Sequence, residues 1–153
     1  MANPIALHRL ILVSCFVSMI SCSKAPNQYE SYSDAVKAGV VDKGWIPQFV
    51  PKGATDIFET HSVEANSSRI EFSYPEDTAP WWSEFSALSA ADAAKVVSIL
   101  DLPRWSKIEL DGDAMYFEVC TEGEKGVLVV STVQHRAHYR EPVMIGLLNC
   151  EQR

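Results

Sequence analysis

An apolar run from Leu10 to Ile20 decides how much of this 153-residue chain is left to fold. It is preceded by Arg9 and His8 with no acid, and followed at once by the polar stretch Ser21-Cys22-Ser23-Lys24. Its eleven residues fall well short of the roughly 20 that a helix needs to cross a bilayer. A positive start, a short apolar core and a small residue at the boundary are the parts of an export leader. Residues 1–21 are therefore expected to be cut away as a signal peptide. The remaining 132 residues make one domain, large enough to bury a core.

Met19-Ile20-Ser21-Cys22 resembles a bacterial lipobox, in which a bulky aliphatic residue and a small residue precede a thiol that becomes acylated. Met19 departs from the pattern at a position where leucine is commoner. The resemblance implies that Cys22 carries several acyl chains, and at about 0.8 kcal/mol per buried CH₂ such an anchor is effectively permanent. Ser23 in place of aspartate after that cysteine implies the outer membrane, with the domain facing the periplasm. Leu12-Val13-Ser14-Cys15 fits the four-residue pattern better, yet a cut there leaves only Leu10 to Val13 as apolar core, too short for export.

Without the leader the chain holds 12 Lys and Arg against 20 Asp and Glu. That balance argues against nucleic acid, whose phosphates need a basic face, and against electrostatic adhesion to anionic lipid. Of the four cysteines, Cys15 leaves with the leader and Cys22 takes the lipid. Cys120 and Cys150 remain, and in an oxidising compartment they read as a disulfide. The competing reading is two buried thiols that never meet. A zinc site lacks a second ligand at short spacing around either one.

Along the mature chain, 22–31 reads as a lipidated tether without periodicity, and 32–153 as a single domain. Ser31 followed by Asp34 starts a short helix over Tyr32 to Ala38, which Gly39 stops. Pro47 and Pro51 forbid a regular strand and an ordinary helix interior, so Lys43 to Pro51 reads as a turn plus a single helical turn. Ala54 to His61 and Ser68 to Tyr74 read as strands, the second with Ile70, Phe72 and Tyr74 on a buried face and Arg69, Glu71 and Ser73 on a wet one. Ser89 with Asp92 starts the main helix, whose Ala93, Val96, Val97 and Leu100 form one apolar stripe. After Pro103, Lys107 to Leu110 and Ala114 to Cys120 are expected to form a hairpin around Asp111-Gly112-Asp113. Val127 to Val133 and Val143 to Leu148 complete the strands. The expected class is α+β, a mainly antiparallel sheet of about five to six strands with one substantial helix and a short N-terminal helix.

The residues Lys43-Gly44-Trp45-Ile46-Pro47, Pro51, Ala54-Thr55-Asp56-Ile57 and Asn66 resemble a pattern in small bacterial lipoproteins of uncharacterised function. The resemblance spans roughly Tyr32 to Tyr74. It implies export and a small stand-alone domain, and carries over no activity.

No Gly-x-Ser-x-Gly elbow and no glycine-rich phosphate loop occurs. The carboxylate pairs Asp111 with Asp113 and Glu122 with Glu124 fall in expected turns, where water solvates them. His135 and His138 are three apart, a spacing that separates them on a strand and solvates them in a turn. His61 stands near a strand end with Glu59 on its side. These features point to no catalytic residue, no metal and no cofactor. Trp45 and Trp105 read as core. The neighbours Trp81 and Trp82 cannot both point inward from an extended segment and lie about 100° apart if Trp81 to Phe85 is a helical turn, so one is expected to be exposed and with Glu84 they form the candidate interaction loop; the competing reading has both closing the edge of a small core.

These readings converge on a non-enzymatic module held on the outer membrane by its lipid, meeting a protein or envelope partner. The alternative is an inhibitor or immunity-type lipoprotein directed at a basic cell-wall hydrolase or toxin, steered by its acidity. A third, weaker reading is an envelope hydrolase using His61 or His138.

Overall fold

In the computed structural model, 25–78, 80–110, 112–121 and 124–143 are the described residues. They form seven strands, β1 (Asn27–Ser31), β2 (Thr55–Ser62), β3 (Ser67–Ser73), β4 (Ser86–Ala87), β5 (Ala114–Thr121), β6 (Glu124–Ser131) and β7 (Arg136–Glu141). Two helices, α1 (Tyr32–Lys37) and α2 (Ala90–Leu100), and a 3-10 turn at Trp81–Glu84 accompany them. The strands make a single sheet in the order β1-β2-β3-β7-β6-β5-β4, with every neighbouring pair antiparallel.

Both faces of the sheet are covered. On β6, Val127 and Val129 point to one side and Leu128 and Val130 to the other, and all four have no exposure, as the two-residue period of a strand requires when both faces are dry. One face packs under α1, the turns that follow it and the 3-10 turn, burying Ile46, Ile57, Ile70, Phe72 and Tyr139. The other packs under α2 and the irregular stretch 101–110, burying Val96, Leu100 and Ile108.

Local chemistry explains the helix ends. The hydroxyls of Ser31 and Ser89 accept from the backbone N–H of Asp34 and Asp92, satisfying a donor that the first helical turn leaves free. After α1, Gly39 takes φ +70°, a left-handed conformation that glycine adopts without a Cβ clash. At the end of α2, Arg140 Nη1 donates to the carbonyls of Ile99 and Leu100, at 2.9 and 2.6 Å. A cation there also meets the negative end of the helix dipole. No helix among the described residues is long and apolar enough to cross a membrane.

This architecture corrects the expectation of an α+β domain with five to six strands: it is mostly sheet, with seven strands and one helix longer than two turns among the described residues. Three misreadings account for the difference. Asn27–Ser31, assigned to the tether, is an edge strand paired with β2. Lys107 to Leu110 is not a strand; β5 pairs instead with the two-residue β4 on one side and β6 on the other. Arg136–Glu141, with three charged residues in six, is an interior strand between β3 and β6. The expected strand Val143 to Leu148 lies outside the described residues beyond Val143.

The expected wet face of β3 is also corrected at one position. Glu71 has no exposure, because Ser106 and Lys107 of the irregular stretch cover it. Ser106 Oγ donates to Glu71 Oε2, and the Lys107 backbone N–H donates to Glu71 Oε1 at 2.7 Å.

Candidate functional site

Three strands present one residue each in a row across the sheet: His61 of β2 lies opposite Ser68 of β3, which lies opposite Glu141 of β7. Residues directly opposite in an antiparallel ladder point to the same face, so the three side chains line one surface at one end of the sheet. The Lys43-Gly44-Trp45 loop walls it on one side and the β2–β3 turn on another, enclosing a polar cleft of about 260 Å³. Ser62 and Ser67 pair at the mouth of that turn, and Asn66 closes it at φ +43°.

His61 is fixed from behind. Glu59, two residues back on the same face, has no exposure, and its Oε1 stands 2.7 Å from His61 Nδ1. Its Oε2 accepts from the Asn27 side-chain amide at 2.8 Å. A buried carboxylate needs such partners, because taking the charge out of water costs several kcal/mol in round terms. The Trp45 indole stacks on the imidazole with centroids 3.6 Å apart. The Lys43 ammonium lies 4.7 Å from the Trp45 ring centroid, within the range of a cation–π contact. With Nδ1 held by Glu59, the other ring nitrogen of His61 is left for the cleft.

Chemically, the cleft offers an oriented imidazole, an ammonium, serine hydroxyls and a carboxylate. Among the described residues, the Ser68 hydroxyl donates to the Trp45 carbonyl at 3.4 Å and not to His61. General-base activation of a serine needs a bond to the base. The arrangement suits binding of a polar, charge-bearing group.

A second polar cluster lies on the opposite face. His138, with no exposure, sits 3.3 Å by Nδ1 from Glu71 Oε2. Arg136 bridges Glu71 at 3.1 Å and Asp56 at 2.5 Å, and Lys107 Nζ reaches Asp56 at 2.8 Å. Burial works to raise the Glu71 carboxyl, but hydrogen bonds from His138, Ser106 and the Lys107 N–H outweigh it and hold it below the usual carboxylate range. Burial pushes the His138 imidazole down, against the pull of Glu71 and with the help of Arg69 and Arg140. The Trp105 ring lies beside His138, with centroids 6.2 Å apart.

The candidate interaction loop is packed down. Trp81 and Trp82 are both half-buried, with centroids 5.5 Å apart, and Tyr74 lies against both. Trp81 also meets Phe49 and Phe72, while Glu84 is exposed. Trp45 and Trp105, read as core, are half-buried, and Trp45 lines the cleft. His61, His135 and His138 are not brought together: His135 takes φ +48° in the β6–β7 turn, and His138 lies on the face opposite His61. Among the described residues no three His, Cys, Asp or Glu side chains converge as a metal site. The carboxylate pairs divide as well. Asp113 Oδ2 accepts from Ser131 Oγ and the Val133 N–H, both at 3.1 Å; Asp111 and Glu122 lie outside the described residues. Cys120 is exposed and disulfide-bonded; Cys150, its expected partner, and the lipidation candidate Cys22 also lie outside them.

The cleft is built almost wholly from the first half of the chain, where a family likeness falls. Residues 24–73 are similar to the YbbD head domain. The match covers about a third of the chain and ends with β3. It therefore takes in Lys43, Trp45, Glu59, His61 and Ser68, and leaves out Glu141. No curated protein and no solved structure matches the chain.

Reading the sequence found Glu59 and His61 on one side of a strand, from their spacing. It missed that Trp45, partly buried against the core, also stacks on His61, for which Lys43-Gly44 before the tryptophan is the available signal: Gly44 takes φ +73° and redirects the chain there.

Proposed function

We propose that this protein is an exported lipoprotein, anchored through Cys22 to the outer membrane and facing the periplasm, and that it binds an envelope component rather than catalysing a reaction. The leader and the lipobox-like tetrapeptide support the anchor, and the cleft supplies the binding site. The observation that carries the binding reading is the buried Glu59 holding His61 at the cleft wall. Desolvating a carboxylate to orient one imidazole is a device for presenting a donor or acceptor in fixed geometry. The Ser68 hydroxyl, turned to the Trp45 carbonyl, weighs against hydrolysis. The packed state of Trp81 and Trp82 moves the interaction surface from their loop to the cleft.

A photo-reactive side chain placed at Lys43 in the full chain, expressed in cells, tests this. The reading predicts an adduct with an envelope component from position 43 and none from Lys52, which is exposed at the other end of β2. Equal adducts from both positions, or none from either, contradict it.

A further inference from the structure

β1 begins at the end of the sheet that carries the cleft. The chain leaving Cys22 enters β1 at Asn27, which pairs with Glu59 and bonds to its carboxylate, and Glu59 in turn holds His61. Five peptide steps separate Cys22 from Asn27, a reach of at most about 18 Å. From Glu59 the chain runs four residues further to Val63, at the tip of the β2–β3 turn. At about 3.3 Å per residue, that tip lies about 13 Å beyond Asn27 along the sheet. An anchor at Cys22 would therefore keep the tip within about 31 Å of its attachment point.

The residues at that end fit a bilayer surface. Val63 is 81% exposed, a large apolar side chain at a turn tip. Trp45 is an amphipathic ring of the type that settles at the headgroup level, and Lys43 has a flexible cation that reaches phosphate. No carboxylate forms an ion pair with Lys43 among the described residues. Acids stand there too: Asp42 and Glu64 are exposed, and Glu141 closes the far side of the cleft. A purely anionic surface is thereby disfavoured, whereas a headgroup bearing both phosphate and ammonium meets both signs.

We infer that the cleft end, with Val63, Trp45 and Lys43, docks on the bilayer that holds the acyl chains, and that the cleft takes the zwitterionic headgroup of a phospholipid. This rests on the anchored, ligand-binding reading above and names the ligand of that same site. Phosphate contacts fall to Lys43 and His61, and the ammonium to Glu141.

The test uses the lipidated full-length mature protein in phosphatidylethanolamine-containing vesicles, with a nitroxide on Val63→Cys, on Ala65→Cys in the same exposed turn, or on Lys52→Cys. Flotation of each sample reports the anchor separately from the docking. Docking predicts that a water-confined relaxing agent reaches the labels at 63 and 65 at least three-fold less than the label at 52, and that Lys43→Glu with His61→Ala restores access. Vesicles that float with all three labels equally accessible overturn the docking and leave the anchor standing. Failure to float overturns both. Protection that inorganic phosphate alone produces without vesicles overturns the headgroup assignment.

Discussion

Glu59 and His61 hold each other across 2.7 Å, although the carboxylate has no exposure to solvent. Removing the carboxylate leaves the Asn27 amide and the imidazole without their acceptor. Glu59→Ala is expected to lower stability by about 1–3 kcal/mol, read as a drop in the urea midpoint, with Glu59→Gln losing less. An unchanged midpoint in Glu59→Ala would show that the pair contributes nothing to the fold.

Stability should fall on mild acidification. His138 is pushed below its ordinary value of 6.5 by burial, so the unfolded chain takes up that proton first and stability is lost as pH falls below about 6.5. Glu71 and Asp56 are held below their ordinary 4.5 and 3.8 by bonds that outweigh their burial. Their contribution is present above those values and is lost as pH falls through the lower folded ones. Urea midpoints between pH 7 and 5 should decline for the wild type and stay nearly flat for His138→Gln; parallel declines contradict the role given to His138.

How much of this was legible in the sequence depended on whether a residue's neighbours were local. The caps at Ser31 and Ser89 are set by side chains three residues away, and both were readable. Glu71 was read as wet because alternation along β3 reports two faces without saying what covers the second. That cover comes from Ser106 and Lys107, 35 and 36 residues on. Asn27–Ser31 carries no apolar alternation because it is an edge strand, paired on one side. Arg136–Glu141 hid as an interior strand because its polar residues are satisfied by Glu71 and by the end of α2, both distant in sequence. Trp45 packs at the edge of the core as its type suggests, but its stacking on His61 depends on the turn at Gly44, which residue type does not report.

Gly126 gives a test of close packing. A Cβ there would stand 2.5 Å from the Tyr139 ring and hydroxyl, a distance that forces the tyrosine to move. Gly126→Ala is expected to cost about 1–3 kcal/mol, and the double variant with Tyr139→Leu should recover part of it. A silent Gly126→Ala contradicts the packing.

Pairing of Cys120 with Cys150 predicts one fewer bridge, and one newly alkylated thiol, in Cys150→Ser under non-reducing conditions. A loop of 30 residues gives a stability loss of roughly 3–4 kcal/mol on the chain-entropy model. A free Cys120 in the unreduced wild type contradicts the pairing.

Anchorage is the claim on which the proposed function and the docking both stand, and radioactive palmitate labelling with membrane flotation tests it most directly. The account predicts that the wild-type chain is labelled and floats with membranes, and that Cys22→Ser is unlabelled and released to the soluble fraction. Wild type and Cys22→Ser that are equally unlabelled and distribute alike would contradict it.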